Sequence, residues 1–312
     1  METHSTPPSI PRPLSSVLMQ TALSLINQAY EEGWEELDLS GMELTELPPE
    51  IGKLVQLKSL VLGMIDDDGN EVGNYLTYLP EEIWELQQLE SLNLNYNQIS
   101  EIPNSIAKLI NLTTLLLDNN QISEIPDSIL QLDNLRAIYL SSNQISKIPD
   151  SIAKMVNLQL LLLDSNQISE IPNSIAKLIN LKLIWLDNNQ ISTIPDSILQ
   201  LTSLISIHLN SNQINEIPDS IAHLTNLADL YLDNNQISEI PDSIAQLTNL
   251  TTLCLHNNQI SKIPDSTAQL TNLTMLSLYG NQITNIPESI AQLINLTTIL
   301  RTFLGGYNAV IP

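Results

Sequence analysis

Cysteine is almost absent from this 312-residue chain, which contains only Cys254. A single cysteine cannot form an intrachain disulfide, so the disulfide frameworks of many secreted domains are excluded. The N-terminal segment METHSTPPSIPRP lacks the basic stretch and apolar run of a secretory signal. No apolar run reaches the roughly 18 residues expected of a membrane-spanning helix. We therefore expect a cytoplasmic protein without such a helix.

Basic residues are also scarce. The chain has 11 Lys and Arg against 35 Asp and Glu, and its formal net charge is −24. This charge repels nucleic-acid phosphates and anionic lipid surfaces. We therefore expect neither nucleic acid nor a membrane as a partner, and a solvated acidic surface is the simplest meaning of the charge.

What the chain does contain is a 23-residue repeat, seen clearly in residues 112–134, LTTLLLDNNQISEIPDSILQLDN. A period of roughly 20–29 residues with the pattern L-x-x-L-x-L-x-x-N is typical of leucine-rich repeats. We therefore predict an α/β leucine-rich repeat solenoid shaped like a horseshoe. One asparagine recurs at the 23-residue interval and forms a predicted Asn ladder: Asn97, Asn120, Asn143, Asn166, Asn189, Asn212, Asn235, Asn258 and Asn281.

The first half of each repeat has the alternation of a β-strand. Leu115 and Leu117 are predicted to face the core, while Leu116 between them faces outward. Asn120 follows where the chain must turn, and its amide has donors and an acceptor for backbone groups that would otherwise be buried unpaired. Stacked strands of this kind predict a parallel sheet on the concave face.

The second half of each repeat predicts a short helical turn on the convex face. Pro126 suits the start of such a turn because its φ is fixed and it has no N–H to leave unpaired. Asp127 and Ser128 are predicted to cap the turn with their side-chain oxygens. One coil cannot bury its apolar edge alone, so the coils must stack.

The ends depart from the repeat. Residues 1–13 are rich in proline and are predicted to be a disordered tail. Residues 14–33 read as a helix that ends at Gly33 and covers the first coil, with a partner-binding helix as the alternative. Residues 34–312 are predicted to form about twelve coils, with an inserted loop at 63–73 in the second coil.

The inserted loop contains a DDDG run that invites comparison with a calcium loop. An EF-hand loop would need an aspartate where Met64 stands, and it would need a helix on either side. A solvated acidic loop is therefore favoured over a calcium site, and no metal or other cofactor is expected anywhere in the chain.

The 23-residue form with N-x-[LI]-x-x-[LI]-P resembles intracellular leucine-rich repeats of Ras-pathway scaffolds and of plant Ras-group proteins. The segment 25–63, followed by GNYLTYLPEEI in a longer second coil, resembles the repeat region of bacterial, especially cyanobacterial, Roco-type proteins. In that family the repeats precede a Ras-like GTPase, which implies a role in signalling. The chain has no G-x-x-x-x-G-K-[ST] motif, and its Gly52-Lys53 pair is followed by Leu54, so GTPase activity does not carry over.

Outward positions of the predicted strands form columns that vary along the stack. We name the middle column the concave stripe: Leu116, Tyr139, Leu162, Trp185, His208 and Tyr231. Leu160 and Leu183 broaden it in the preceding column, where Asp229 also lies. The following column is the acidic column: Asp118, Asp164, Asp187 and Asp233. Apolar stripes with polar rims mark interaction surfaces, and Trp and Tyr are favoured anchors. The alternative is that these side chains only pack across the sheet.

Three residues near the end of the stack invite comparison with a catalytic site. Cys254, His256 and Asp233 supply a nucleophile, a base and an acid in outline. Residues two apart on a strand are about 6.6–7 Å apart, and an open sheet offers no oxyanion donors. We therefore expect no catalytic residues, and a metal site from the same residues with His208 is equally disfavoured.

These observations predict a non-enzymatic protein-interaction module or scaffold, in intracellular signalling, that binds a protein partner on its concave face. The acidic column favours a basic partner. The alternative is a regulatory repeat segment of a Roco-type GTPase system whose GTPase domain is absent from this chain.

Overall fold

The computed structural model describes the backbone of residues 12–300 and the side chains of residues 17–297. This part of the chain coils into a solenoid. One helix, α1 (Arg12–Glu32), precedes a sheet of twelve parallel strands. This architecture confirms the predicted α/β solenoid. The strands of the sheet are β1 (Glu36–Asp38), β2 (Ser59–Val61), β5 (Ser91–Asn93), β6 (Thr114–Leu116), β7 (Ala137–Tyr139), β8 (Leu160–Leu162), β9 (Leu183–Trp185), β10 (Ser206–His208), β11 (Asp229–Tyr231), β12 (Thr252–Cys254), β13 (Met275–Ser277) and β14 (Thr298–Leu300).

Two short strands lie outside this sheet. β3 (Met64–Ile65) and β4 (Glu71–Val72) pair antiparallel with each other, so the predicted inserted loop is a small hairpin. In the long sheet each strand pairs with the strand of the next coil, in the order β1-β2-β5 and then consecutively to β14. Leu115 pairs with Ile138, and Ile138 with Leu161, so the 23-residue step sets the register.

A 3-10 helix on the convex side follows each strand of the long sheet except β14, after which the described residues end. In most coils a proline in an extended conformation directly precedes the 3-10 helix, for example Pro103 with φ −72° and ψ 156°. The helices are Pro49–Lys53, Glu81–Glu85, Asn104–Lys108, Ile129–Gln131, Asp150–Lys154, Asn173–Lys177, Ile198–Gln200, Asp219–His223, Asp242–Gln246, Asp265–Gln269 and Glu288–Gln292.

The predicted capping of these turns is wrong. Ser128 occupies the N-cap of its 3-10 helix but makes no capping hydrogen bond. Among the described residues its buried Oγ has no partner. The carboxylate of Asp127 instead accepts a hydrogen bond from Ser151 Oγ of the next coil, at 2.5 Å. The polar side chains of the turn therefore tie neighbouring coils together.

The core is a continuous column of Leu and Ile side chains between the sheet and the 3-10 helices. In one coil, Leu115, Leu117, Ile122 and Ile129 are buried, as the alternation predicts. Full burial of a side chain of this size contributes about 1.5–3 kcal/mol. Burial of these side chains determines which face of the sheet lies against the core, and it places Leu116 on the outer face.

The ladder asparagines lie at the end of this core. Asn166 Nδ2 donates to the carbonyl oxygens of Leu140, at 2.9 Å, and Leu163, at 3.1 Å. Its Oδ1 accepts the N–H of Ile145 at 2.9 Å. Asn74 makes equivalent bonds to the first coil, so the ladder begins one coil before the predicted start at Asn97.

A second row of asparagines, which the repeat did not lead us to expect, ties the opposite flank. Asn134 Nδ2 donates to the carbonyl of Ile110 at 2.9 Å, and Asn157 bonds Asp133 in the same way. The row is Asn111, Asn134, Asn157, Asn180, Asn226, Asn249, Asn272 and Asn295, with Ser203 in the remaining coil.

Helix α1 packs on the first coil. Ala22, Ile26 and Ala29 are buried in the same cluster as the core of the solenoid. The helix already includes Arg12 and Pro13, which the sequence assigned to the tail. The rest of the predicted tail, and the last residues from 301 to 312, lie outside the described residues.

The base of the hairpin lies against the backbone of the third coil. A Cβ on Gly63 would lie 1.8 Å from the carbonyl oxygen of Asn95, and one on Gly73 would lie 1.7 Å from that of Tyr96. These two glycines therefore allow the base of the hairpin to approach the backbone of the third coil. Asp66 at its tip accepts N–H bonds from Asp68 and Asn70, so its carboxylate organises the turn.

Candidate protein-binding face

The sheet brings the residues of the concave stripe side by side. Each is the last residue of its strand, and Tyr139 pairs in register with Leu162, which pairs with Trp185. His208 lies between Trp185 and Tyr231 on the neighbouring strands. Leu160 and Leu183 are register partners in the preceding column, and Asp229 is the partner of Ser206 there.

Three rings of the stripe contact one another along the sheet in a tilted arrangement, with interplanar angles of 33° and 35°. The ring centroids of Trp185 and His208 are 4.8 Å apart, and those of His208 and Tyr231 are 4.3 Å apart. His208 Nε2 lies 3.0 Å from Ser206 Oγ, and its Nδ1 lies 3.6 Å from Asp187 Oδ2. The row presents ring faces and edges on an outer sheet surface.

The stripe is less exposed than its outward direction indicated. Leu162 is only 8% exposed, because its neighbours on the sheet cover it. The expectation that it contributes open apolar surface is wrong, and cross-strand packing accounts for this residue. The other residues of the concave stripe are half-buried: Leu116, Tyr139, Trp185, His208 and Tyr231. The same is true of Leu160 and Leu183 in the preceding column.

The acidic column has a structural function that the sequence did not reveal. Asp118 Oδ1 accepts the backbone N–H of Ser141 at 2.7 Å, and Asp187 Oδ1 accepts that of Asn210 at 2.6 Å. Asp233, only 5% exposed, accepts the N–H of His256 at 2.9 Å. The prediction that Asp233 belongs to an exposed acidic rim is therefore wrong, whereas Asp118, Asp164 and Asp187 are half-buried.

Neutral residues perform the same task in other coils. Asn95 Oδ1 accepts the N–H of Asp118 at 2.7 Å, and Asn210 Oδ1 accepts that of Asp233 at 2.8 Å. Asp164 instead accepts a short hydrogen bond from Ser141 Oγ. The 23-residue interval places Asn95, Ser141 and Asn210 in this column. Nothing in the sequence indicates, however, that side chains of this column form hydrogen bonds with the next coil.

Burial changes the acidity of these carboxyl groups. It raises the pKa of Asp118 to about 6, although the N–H of Ser141 opposes the shift and the nearby Asp164 adds to it. Burial also raises the pKa of Asp233 to about 6, against the N–H of His256. The pKa of Asp164 is raised chiefly by burial as well. The column therefore loses part of its negative charge below about pH 6.

The residues considered for catalysis lie at the far end of this face. Asp233 contacts His256 Nδ1, which also lies 3.2 Å from Ser277 Oγ, and the His256 ring stacks on Tyr279 at 4.2 Å. Cys254 is buried, and its Sγ contacts Met275 Sδ at 3.8 Å. Burial, with Asp233 and Asp229 nearby, raises the pKa of its thiol to about 12, so the nucleophilic thiolate is disfavoured.

Two kinds of feature are absent from the part of the chain that the structure describes. There, no group of three or more His, Cys, Asp or Glu side chains is arranged to hold a metal ion. Within the same part of the chain, no helix has the length and apolar character needed to cross a membrane.

Family models match most of the repeat region. A model described as a leucine-rich repeat region matches residues 173–257, and one described as a leucine rich repeat matches residues 110–168. A model of two leucine rich repeats matches residues 87–130 and 248–289. The solved structure of a leucine-rich repeat protein of Leptospira interrogans is 33% identical, with a TM-score of 0.76, over 89% of this chain and 76% of that one.

The chain belongs to the leucine-rich repeat family. Another similar structure of this family is the plant peptide hormone receptor RGFR1 in complex with RGF2, at 31% identity and a TM-score of 0.69. That match covers 86% of this chain and 47% of the receptor chain, so the chain spans about half of the receptor. An internalin from Listeria monocytogenes, InlF, is 24% identical with a TM-score of 0.60 and shows the shared fold. Curated proteins give no significant match.

Leucine-rich repeat domains are generally protein-interaction modules, typically without enzymatic activity of their own. The geometry described above agrees with that general role. It offers a row of half-buried aromatic side chains on a rigid sheet, and the one thiol is buried away from solvent.

Proposed function

We propose that this chain binds a protein partner along its concave face, centred on Tyr139, Trp185, His208 and Tyr231. The observation that carries the proposal is the row of tilted ring contacts between Trp185, His208 and Tyr231 on the outer surface of the sheet. Aromatic anchors dominate the binding energy of many interfaces. Four strand steps separate Tyr139 from Tyr231, about 19 Å at the usual spacing of strands, which suits an extended segment or one helix of a partner.

The partner is proposed to be basic. The net charge of −24 attracts basic proteins over a distance, and this attraction acts mainly on the association rate. Asp187 and Asp229 are half-buried beside this row of rings, and each carboxylate can pair with a cationic side chain in addition to the hydrogen bond that it already accepts. A Lys or Arg of the partner can also lie over the ring faces of Trp185 or Tyr231.

The comparison with RGFR1 supports a protein or peptide ligand in general terms, since that receptor was solved with its peptide hormone RGF2. The identity of this chain's partner does not follow from it. A scaffold role in signalling and a cytoplasmic location are further parts of the proposal, and they rest on the sequence alone.

The test is affinity capture with the wild-type chain beside Trp185→Ala. Loss of the indole should reduce capture of a specifically bound protein by at least about tenfold, which corresponds to ~1.4 kcal/mol. The matched control is Asp196→Ala on the convex side, where the carboxylate accepts a hydrogen bond from Ser220 Oγ. Both variants should be compared with wild type by thermal unfolding, because Trp185 also packs on its neighbours.

Normal binding by a folded Trp185→Ala together with loss of binding in Asp196→Ala would show that the working face has been misassigned. The identity of the captured protein separates the two candidate roles. A GTPase among the specifically captured proteins would favour the regulatory segment of a Roco-type system over a general scaffold.

A further inference from the structure

Four of the 11 basic residues lie close together on one flank of the solenoid. It is the flank that the second row of asparagines ties, where each coil runs from the end of its 3-10 helix into the next strand. The four cations and two aliphatic residues between them are all exposed. We call this set the basic flank: Arg136, Lys154, Val156, Lys177, Ile179 and Lys182. In a chain of net charge −24 it is a local exception.

Two of the cations stand in one column at the starts of the strands. The backbone N–H of Gln159 donates to the carbonyl of Arg136 at 2.8 Å, and the N–H of Lys182 donates to that of Gln159 at 2.9 Å. Arg136 and Lys182 therefore lie two coils apart, about 10 Å at the usual spacing of strands.

The other two cations form a second column, nearer the convex side. Lys154 and Lys177 are the last residues of consecutive 3-10 helices. Val156 and Ile179, two residues later in each coil, are 45% and 65% exposed. The chain continues from these aliphatic residues to the strand starts, so a short apolar row lies between two basic columns.

The protein does not neutralise these charges itself. In the described part of the chain, none of the four cations has an ion-pair partner. Two other lysines of this flank are paired, Lys58 with Glu35 at 2.8 Å and Lys108 with Glu85 at 2.9 Å. Later coils have neutral residues at the equivalent positions, such as Gln246 in the column of Lys154. The cluster is therefore not a by-product of the repeat.

A hollow of about 280 Å³ adjoins the column of strand starts. Its lining is polar: Asp133, Asn134, Arg136, Asn157, Gln159 and Asn180. Each of the three asparagines donates one amide N–H to a carbonyl of the preceding coil. The second N–H of each amide has no acceptor among the described residues. The hollow thus offers amide donors to a carboxylate beside the Arg136 guanidinium.

The surroundings decide which anionic partner fits. Charges in solution are screened over about 8 Å at physiological ionic strength, so a narrow segment on this flank responds mainly to the nearby cations. A lipid bilayer is a broad plane that would also cover carboxylates of the same flank in earlier coils, including Glu85, Glu90 and Asp133. The basic flank therefore suits one acidic protein segment better than a membrane.

We propose that the basic flank docks an acidic amphipathic helix of a second protein. Leucines three or four residues apart on such a helix repeat every ~5–6 Å, close to the step between coils of ~4.8 Å. They pack on Val156 and Ile179, while glutamates on either side pair with the two basic columns. The concave face takes no part in this docking, so one chain can hold a basic and an acidic partner together.

The probe is a fluorescently labelled synthetic peptide of about 16 residues, long enough to form a helix. Leucines occupy one face of this helix, and glutamates lie on both sides of them. A matched peptide has glutamine in place of every glutamate. Fluorescence anisotropy with the full chain should show saturable binding of the acidic peptide and at least about tenfold weaker binding of the glutamine peptide.

Charge reversal assigns the binding to this flank. Lys154→Glu combined with Lys177→Glu should weaken the acidic peptide at least about tenfold, because two attractions become repulsions. The matched control is Lys147→Glu combined with Lys262→Glu, which makes the same change of charge at exposed positions on the flank of the Asn ladder. This control should stay within about twofold of wild type.

The apolar row is tested separately. Ile179→Ser should weaken the peptide about two- to fivefold through lost apolar contact. Val55→Ser, at the equivalent exposed position of the first coil, should leave the affinity unchanged. Trp185→Ala should bind the peptide like wild type, so failure of this docking and failure of the concave-face proposal are distinguishable.

Four results would overturn the proposal. The first two are no saturation up to about 1 mM peptide and an equal loss in the control with Lys147 and Lys262 reversed. The third is co-sedimentation with phosphatidylserine vesicles that disappears when Lys154 and Lys177 are reversed, which would make the flank a membrane surface. The fourth is self-association of the free chain that the same reversal abolishes, which would make the occupant a second copy.

Discussion

At the scale of single residues, one asparagine per coil connects each coil to the one before it. The residue before it adopts a left-handed backbone conformation, which costs energy for most residue types. Asn119 has φ 56° and Ser165 has φ 56°. This backbone conformation directs the side-chain amide of the following asparagine towards the preceding coil. The hydrogen bonds that the amide forms there with buried backbone groups offset the cost.

Asn166→Ala should therefore lower the free energy of unfolding by about 1–3 kcal/mol, because it leaves buried carbonyls and an N–H unpaired. Asn281→Ala should cost less, since Asn281 is only partly buried near the end of the described stack. Urea titration of both variants measures the difference, with the exposed Gln167→Ala as a control. Equal losses at Asn166 and Asn281 would contradict the ladder account.

The buried carboxyl of Asp118 predicts a dependence of stability on pH. Its pKa is raised in the folded chain, so the folded state holds a proton that the unfolded state releases between about pH 4 and pH 6. Stability from this group is thus present at low pH and is lost as the pH rises through about 6. Asp118→Asn should be more stable than wild type at pH 7, by on the order of 1–2 kcal/mol, and nearly neutral at pH 4.

Asn95 and Asn210 already accept the same backbone bond in their own coils, so an amide at position 118 is compatible with the strand. Thermal unfolding from pH 4 to pH 8 tests the prediction, with the exposed Asp133→Asn as the matched control. A variant that loses stability at pH 7 would show that the negative charge itself is needed there.

At the scale of elements, helix α1 closes the end of the stack at the first coil. Val17 on its outer side is 62% exposed, whereas Ile26 is 0% exposed and belongs to the common core. An uncovered end coil would leave its leucines in water, so the helix replaces a missing neighbour.

Ile26→Ala should destabilise the chain by about 2–4 kcal/mol, because it leaves a cavity under the helix. Val17→Ala should stay within ~0.5 kcal/mol of wild type. Hydrogen exchange should show faster opening of β1 and β2 in Ile26→Ala than of strands in the middle of the sheet. Unchanged protection of β1 would mean that the first coil does not depend on the helix.

The elements also show how far the sequence could predict this structure. The alternation around Leu115 and the recurring Asn120 were enough for the sheet, its register and the side of the sheet that faces outward. The 63–73 insertion was predicted as a loop because its paired strands are only two residues long, too short for a periodic signal. The bond from Asp118 to Ser141 depends on a distance between two coils, which no single repeat reveals.

At the scale of the whole molecule, stability comes from contacts between neighbouring coils. Each coil packs on the coil before and the coil after it, so the chain behaves as a linear array. The same regularity implies that a whole repeat can be removed without changing the register of the strands that follow.

Deletion of residues 158–180 removes one 23-residue coil and joins Asn157 to Leu181, so the pattern of the repeat continues. We expect this variant to remain folded, with a lower melting temperature. Deletion of residues 159–180 removes one residue fewer and shifts later strands relative to the core, which exposes their leucines. Circular dichroism and urea unfolding should show a cooperative transition only for the first variant. Similar behaviour of the two deletions would contradict the register described for the sheet.

The hairpin at β3 and β4 has a consequence for assembly of the stack. Coils that are nearly identical can pair one step too early or too late during folding, at little cost in energy. The contacts of Gly63 with Asn95 and of Gly73 with Tyr96 occur at a single place in the array. These contacts fix the register of the third coil on the second, and the register of every later coil follows from that position.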